Sequence, residues 1–89
     1  MFSKYADDVE EINISDNGLT SLPDLSRFKK LKRFYCSNNQ LTHLPPLPST
    51  LQILVCYNNQ LTHLPPLSST LQALYCFANQ LINRTIQFL

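Results

Sequence analysis

Eighty-nine residues suffice for one small domain and are too few to divide into two independent cores. An apolar fraction of 44% beside a charged fraction of 15% excludes the composition of a disordered chain. The net charge is +1, and the only basic cluster, Lys29, Lys30, Lys32 and Arg33, is too small for the broad positive surface of a nucleic-acid binder.

The N-terminal stretch Met1 to Glu11 carries Asp7, Asp8, Glu10 and Glu11 and no basic start followed by an apolar core, so it does not read as a signal peptide. Residues 1–8 are expected to form an N-terminal cap region, and Glu10 and Glu11 with the preceding acidic pair to discourage edge pairing. No apolar run approaches the roughly 20 residues that span a bilayer. Three cysteines, an odd number, suit a reducing compartment better than a disulfide framework. The expectation is a cytoplasmic chain that engages neither membrane nor nucleic acid.

From residue 9 onward the chain repeats itself. Gln40 to Leu47 reads QLTHLPPL, and Gln60 to Leu67 reads QLTHLPPL again. Cys36, Cys56 and Cys76 keep the same step of 20, as do Asn39, Asn59 and Asn79, and Leu41, Leu61 and Leu81. A diverged first unit fits with a step of 22 through Val9, Ile12, Ile14, Asn17, Leu19 and Leu22. The units run about 9–30, 31–50 and 51–70, with a partial fourth over 71–81. Each is too short to bury its own apolar face, so stability must come from stacking neighbours.

Within a unit, the Leu/Phe-x-Cys alternation is strand periodicity. It predicts parallel strands near Glu11–Ser15, Lys32–Ser37, Gln52–Tyr57 and Gln72–Phe77. Asn after the strand suits a turn, because its amide bonds nearby backbone and tolerates left-handed dihedrals. Stacked copies predict a buried structural ladder of Asn17, Asn39, Asn59 and Asn79. The Pro-Pro pairs after Leu44 and Leu64 forbid a helix interior. Only Leu25 to Leu31 leaves room for a helical turn.

The unit L-x-x-L-x-L/C-x-x-N-x-L-x-x-L resembles the leucine-rich repeat, over about Val9 to Leu81. Its short 20-residue form, with L-P-x-L-P after the Asn, is similar to repeats of bacterial effectors and of giant viruses. The resemblance implies a repeat solenoid (α/β-type leucine-rich repeat, mostly β with an extended convex side) built on a curved parallel sheet of about four strands. It also implies a non-catalytic protein–protein interaction module, working in the host cytoplasm if the source is viral or an effector.

Pattern residues point inward, which makes Ile14, Cys36, Cys56 and Cys76 a buried core column. The intervening residues form outward columns: Glu11, Arg33, Ile53, Ala73; then Asn13, Tyr35, Val55, Tyr75; then Ser15, Ser37, Tyr57, Phe77. The first strand is polar and the last two are aromatic. Arg33, Tyr35, Ile53, Val55, Tyr57, Tyr75 and Phe77 are therefore the candidate partner-binding residues on the concave face. The competing reading is that these side chains only cover one another across strands. Four strands span roughly 15–20 Å, which makes a patch smaller than the ~800 Å² per partner of a stable interface, so the expected affinity is weak.

Other motifs read as structural. His43 and His63 occupy equivalent positions, but the third copy has Asn83, so no metal site is expected. Leu44-Pro45-Pro46-Leu47-Pro48 looks like a ligand for a proline-binding domain, yet its repetition explains it without one. One glycine, Gly18, and acids kept away from both histidines leave no catalytic residues and no cofactor to propose. Residues 82–89 drop the pattern and are expected to form a C-terminal tail or cap. An alternative function is structural: the open solenoid edges build a stack, or a homodimer through the C-terminal edge.

Overall fold

The computed structural model describes residues 1–81, so the tail or cap expected over 82–89 lies outside the described residues. Four short strands, β1 (Glu11–Asn13), β2 (Arg33–Tyr35), β3 (Ile53–Val55) and β4 (Ala73–Tyr75), form one parallel sheet in sequence order. The register pairs Glu11 with Arg33, Ile53 and Ala73 in turn, and Asn13 with Tyr35, Val55 and Tyr75. No helix joins the strands among the described residues. This is the repeat solenoid with an extended return side that the periodicity implies.

Each strand is three residues long, shorter than the five or six expected. The cause lies just after it. Asp16, Asn38, Asn58 and Ala78 adopt left-handed φ of 61°, 56°, 59° and 55°, which turns the chain off the sheet. Hydrogen bonding continues past the strands, with Ile14 N–H on the Tyr35 carbonyl at 2.8 Å and Asp16 N–H on the Ser37 carbonyl at 3.0 Å. The left-handed residue precedes the ladder Asn by one position in every unit.

Leu25 to Leu31 forms no helix. Two successive turns replace it, Phe28 N–H to the Leu25 carbonyl and Leu31 N–H to the Phe28 carbonyl. That spacing drives Leu25, Phe28 and Leu31 together into the core, all within 1% exposure. They join Ile12, Ile14, Phe34, Cys36, Leu41, Leu51, Leu54, Cys56 and Leu61 in one continuous cluster. The core is thus thickest through the middle units.

At the front, a 3-10 turn over Phe2–Lys4 packs on the first layer. The Phe2 ring lies 6.5 Å from that of Phe28. Arg27 fixes this segment: its guanidinium donates to the carbonyls of Phe2 (2.8 Å) and Tyr5 (3.1 Å) and to the Asp7 carboxylate. Its cationic face also covers the Phe28 ring at 4.1 Å. At the other end Leu71, Leu74, Cys76 and Leu81 are half-buried. The same positions one unit earlier are fully buried.

Candidate binding face

The ladder Asn residues bond backbone, not one another. Asn39 Oδ1 accepts from the N–H groups of Asn17 (3.1 Å) and Leu19 (2.9 Å), while Nδ2 donates to the carbonyls of Ile14 and Cys36. Asn59 repeats this, accepting from Leu41 N–H and donating to Cys36 and Cys56. Asn79 accepts from Leu61 N–H and donates to Cys56 and Cys76. Each amide therefore ties its own unit to the one before. The burial is uneven: Asn39 and Asn59 are buried, Asn79 is half-buried, and Asn17 is exposed, contrary to a fully buried ladder. Asn17 has no earlier unit to reach, and its Nδ2 donates locally to the Ser15 carbonyl.

The core column also fades at one end. Ile14, Cys36 and Cys56 are inaccessible, whereas Cys76 is half-buried. It belongs to the last described layer. Burial pushes the Cys36 thiol up to about 12 and raises Cys56 further, with the other two thiols adding to the effect; burial also raises Cys76. These thiols stay protonated and act as small apolar groups.

On the strand face, the seven candidate residues are not equivalent. Tyr75 and Phe77 are 51% and 63% exposed, the only large apolar side chains besides Met1 that are exposed among the described residues. Arg33, Tyr35, Ile53, Val55 and Tyr57 are half-buried, because neighbouring columns shield them. The Arg33 Nε–H donates to Glu11 at 2.8 Å, and that carboxylate raises its pKa above the usual value. Lys32 pairs with Glu10 at 3.8 Å. Glu10 and Glu11 are thus paired with Lys32 and Arg33 of the second unit. Ser37, read as outward, is buried at 2%, and its hydroxyl has no partner.

The aromatic end has a definite geometry. The Tyr57 and Phe77 rings, two residues past the ends of β3 and β4, are parallel to within 3° with centroids 4.7 Å apart, in line with the usual spacing of about 4.7–4.9 Å between neighbouring strands. Tyr75 stands beside them in the adjacent column. What this corner offers is flat aromatic area bearing the two phenol hydroxyls of Tyr57 and Tyr75.

Residues 8–49 match the family described as leucine rich repeats (2 copies). That stretch consists of leucine-rich repeats. No curated protein matches the sequence of the chain. Leucine-rich repeats generally serve as protein-interaction modules, and the matched stretch supplies the first two strands of the parallel sheet.

His43 and His63 are exposed, each with Nδ1 bonded to the preceding threonine hydroxyl, Thr42 or Thr62. No group of three or more metal-ligating side chains converges among the described residues. In Leu44 to Pro48, Leu44 is buried and Leu47 packs against the core, so the proline-rich segment has its leucines turned inward. No helix among the described residues is long and apolar enough to cross a membrane.

Several features escaped the sequence reading. A cleft of about 370 Å³ lies between the return segments of the first two units, bounded by Asp24, Phe28, Lys29, Pro46 and Leu47. Thr50 and Thr70 hydroxyls donate to the carbonyls of Leu31 (2.7 Å) and Leu51 (2.8 Å), a second inter-unit ladder. Its signal was present in the recurring Ser-Thr-Leu of residues 49–51 and 69–71. The Arg27 clamp has no such signal, since it depends on a chain reversal specific to the first unit.

Proposed function

We propose that the strand face binds a protein partner, with the Tyr57, Tyr75 and Phe77 corner as the anchor and Tyr35, Ile53 and Val55 as its half-buried shoulder. The observation that carries this is the stacked Tyr57–Phe77 pair beside exposed Tyr75. A large side chain left exposed on a four-strand sheet costs solubility, and stacking pre-orders the rings before a partner arrives. Arg33, held by Glu11, contributes electrostatic register at the rim more than affinity. The partner patch is small, so binding is weak and dissociates readily.

The test is affinity capture from lysate with the intact chain and with the Tyr57→Ser/Tyr75→Ser/Phe77→Ser variant. The partner is expected to be lost with the variant. Equal recovery by both proteins removes the strand face as the site.

The half-buried fourth layer favours a second reading, self-association through the C-terminal edge. Sedimentation separates the two, because self-association grows with the concentration of this protein alone.

A further inference from the structure

We infer that the cleft between the return segments of the first two units binds a free aromatic amino acid, with its ammonium on Asp24, its carboxylate on Lys29 and its ring against Pro46 and Pro48. Both walls belong to the first two of four units, away from the last described layer.

The gap opens where neighbouring repeats stop matching. The return segments of the second and third units, residues 44–50 and 64–70, differ only in Pro48 against Ser68. They are laced together: the Ser68 hydroxyl donates to the Leu51 carbonyl at 2.9 Å, and the Thr70 hydroxyl reaches the carbonyls of Ser49 (2.9 Å) and Leu51 (2.8 Å). The first unit steps by 22 and not 20. Its return makes two successive turns, Leu25–Phe28 and Phe28–Leu31, opposite a single turn over Pro48–Leu51. Pro48 has no hydroxyl where the next unit has Ser68. Among the described residues, only Thr50, on the Leu31 carbonyl at 2.7 Å, ties these two walls through a side chain. About 370 Å³ stays open between them, within the range of small-molecule sites.

The charged groups of the cleft are held in place by one residue. Ser26 N–H donates to the Asp24 carboxylate at 2.8 Å, and Lys29 Nζ donates to the Ser26 carbonyl at 3.2 Å. The backbone and side-chain bonds from Ser26 keep the Asp24 carboxyl below its ordinary range, and Lys29 adds to this. Neither Asp24 nor Lys29 joins an ion pair among the described residues, whereas Arg27, Lys32 and Arg33 each have a carboxylate. Opposite them stand Pro46, Leu47 and Pro48, and Phe28, only 1% exposed, closes the core side. A simple ion leaves the prolines uncovered, and a neutral ring leaves both charges unmatched. A zwitterion carrying a flat ring meets all three, since proline rings pack well on aromatic faces.

The full chain contains no tryptophan, so the emission of added L-tryptophan reports its own surroundings. Titration with the protein should give a saturable blue shift with a Kd of about 0.1–1 mM. Asp24→Asn keeps an oxygen for Ser26 N–H and removes the charge, while Lys29→Gln removes the ammonium. Each should weaken binding at least about threefold. The losses should also be selective. Tryptamine, without the carboxylate, should ignore Lys29→Gln, and indolepropionate, without the ammonium, should ignore Asp24→Asn. Lys30→Gln, outside the cleft, should change nothing. No saturable binding by the full chain overturns the proposal, including the case in which other residues of the chain fill the cleft. So do equal losses from Lys29→Gln and Lys30→Gln, which reduce the effect to net charge, or analogues that bind as tightly as tryptophan. The strand face takes no part here: Tyr57→Ser/Tyr75→Ser/Phe77→Ser should leave tryptophan binding unchanged, and either reading can fail alone.

Discussion

Asn59 Nδ2 donates to the carbonyl of Cys36, 23 residues earlier, at 3.0 Å. The same amide donates to Cys56 at 3.1 Å and accepts from Leu41 N–H at 3.0 Å, so one buried side chain joins two units. Removing it leaves the buried Leu41 N–H unpaired and takes one of two side-chain donors from each carbonyl, Cys36 keeping Asn39 and Cys56 keeping Asn79. Asn59→Ala should destabilise the fold by about 3 kcal/mol. Asn79→Ala, half-exposed, should cost about 1–2 kcal/mol, and exposed Asn17→Ala less than about 1. Urea denaturation of the three variants checks the order.

Ala78 holds a φ of 55° where the two preceding units place Asn38 and Asn58. An alanine there bears the left-handed penalty with no side chain to offset it. Asn58 Nδ2 donates to Asn38 Oδ1 at 2.6 Å, a link that Ala78 cannot extend. Ala78→Asn should therefore stabilise the protein by about 0.5–1 kcal/mol. A thermal melt that falls instead contradicts the strain at this turn.

The buried thiols give a pH dependence with a definite sign. The folded state holds protons on Cys36 and Cys56 that the unfolded chain releases above about pH 8.5–9, so stability declines as pH rises from there toward 12. The slope approaches 1.4 kcal/mol per pH unit for each thiol. Denaturation midpoints at pH 8 and pH 10 measure it, and Cys36→Ala/Cys56→Ala should flatten the difference. In the native state a thiol reagent should modify Cys76 first, since it alone of the three is partly accessible.

Arg27 holds the N-terminal segment by two backbone carbonyls as well as by Asp7. Arg27→Ala should cost about 1–2 kcal/mol and speed proteolysis before residue 9. Asp7→Asn removes an exposed ion pair only, and should cost less than about 0.5 kcal/mol. Equal effects from the two variants would mean that the carbonyl contacts contribute little.

The step of 20 in Cys, Asn and Leu made the sheet and its register readable in advance, because stacking forces equivalent positions into columns. Burial within a column was not readable. Tyr35 and Val55 point outward as their alternation requires, yet flanking columns half-cover them, while Tyr75 and Phe77 lie at the last described layer and stay exposed. The left-handed turn was placed one residue late, on Asn39 instead of Asn38, since either asparagine satisfies the local preference. In Leu25 to Leu31, apolar spacing of three fits a helical turn and two linked tight turns equally well. Packing of Phe28 against Phe2 belongs to the turns the chain adopts and is invisible locally.

The central claim, that a protein partner sits on the aromatic end of the strand face, is tested most directly by site-specific photo-cross-linking. A benzophenone amino acid is placed at Tyr75 in one protein and at exposed His43, on the far side of the Asn turn, in another. Irradiation in lysate should give one discrete heavier adduct from position 75 and none from position 43. Adducts from position 43 alone, or the same faint pattern from both, would contradict the strand face as the binding surface.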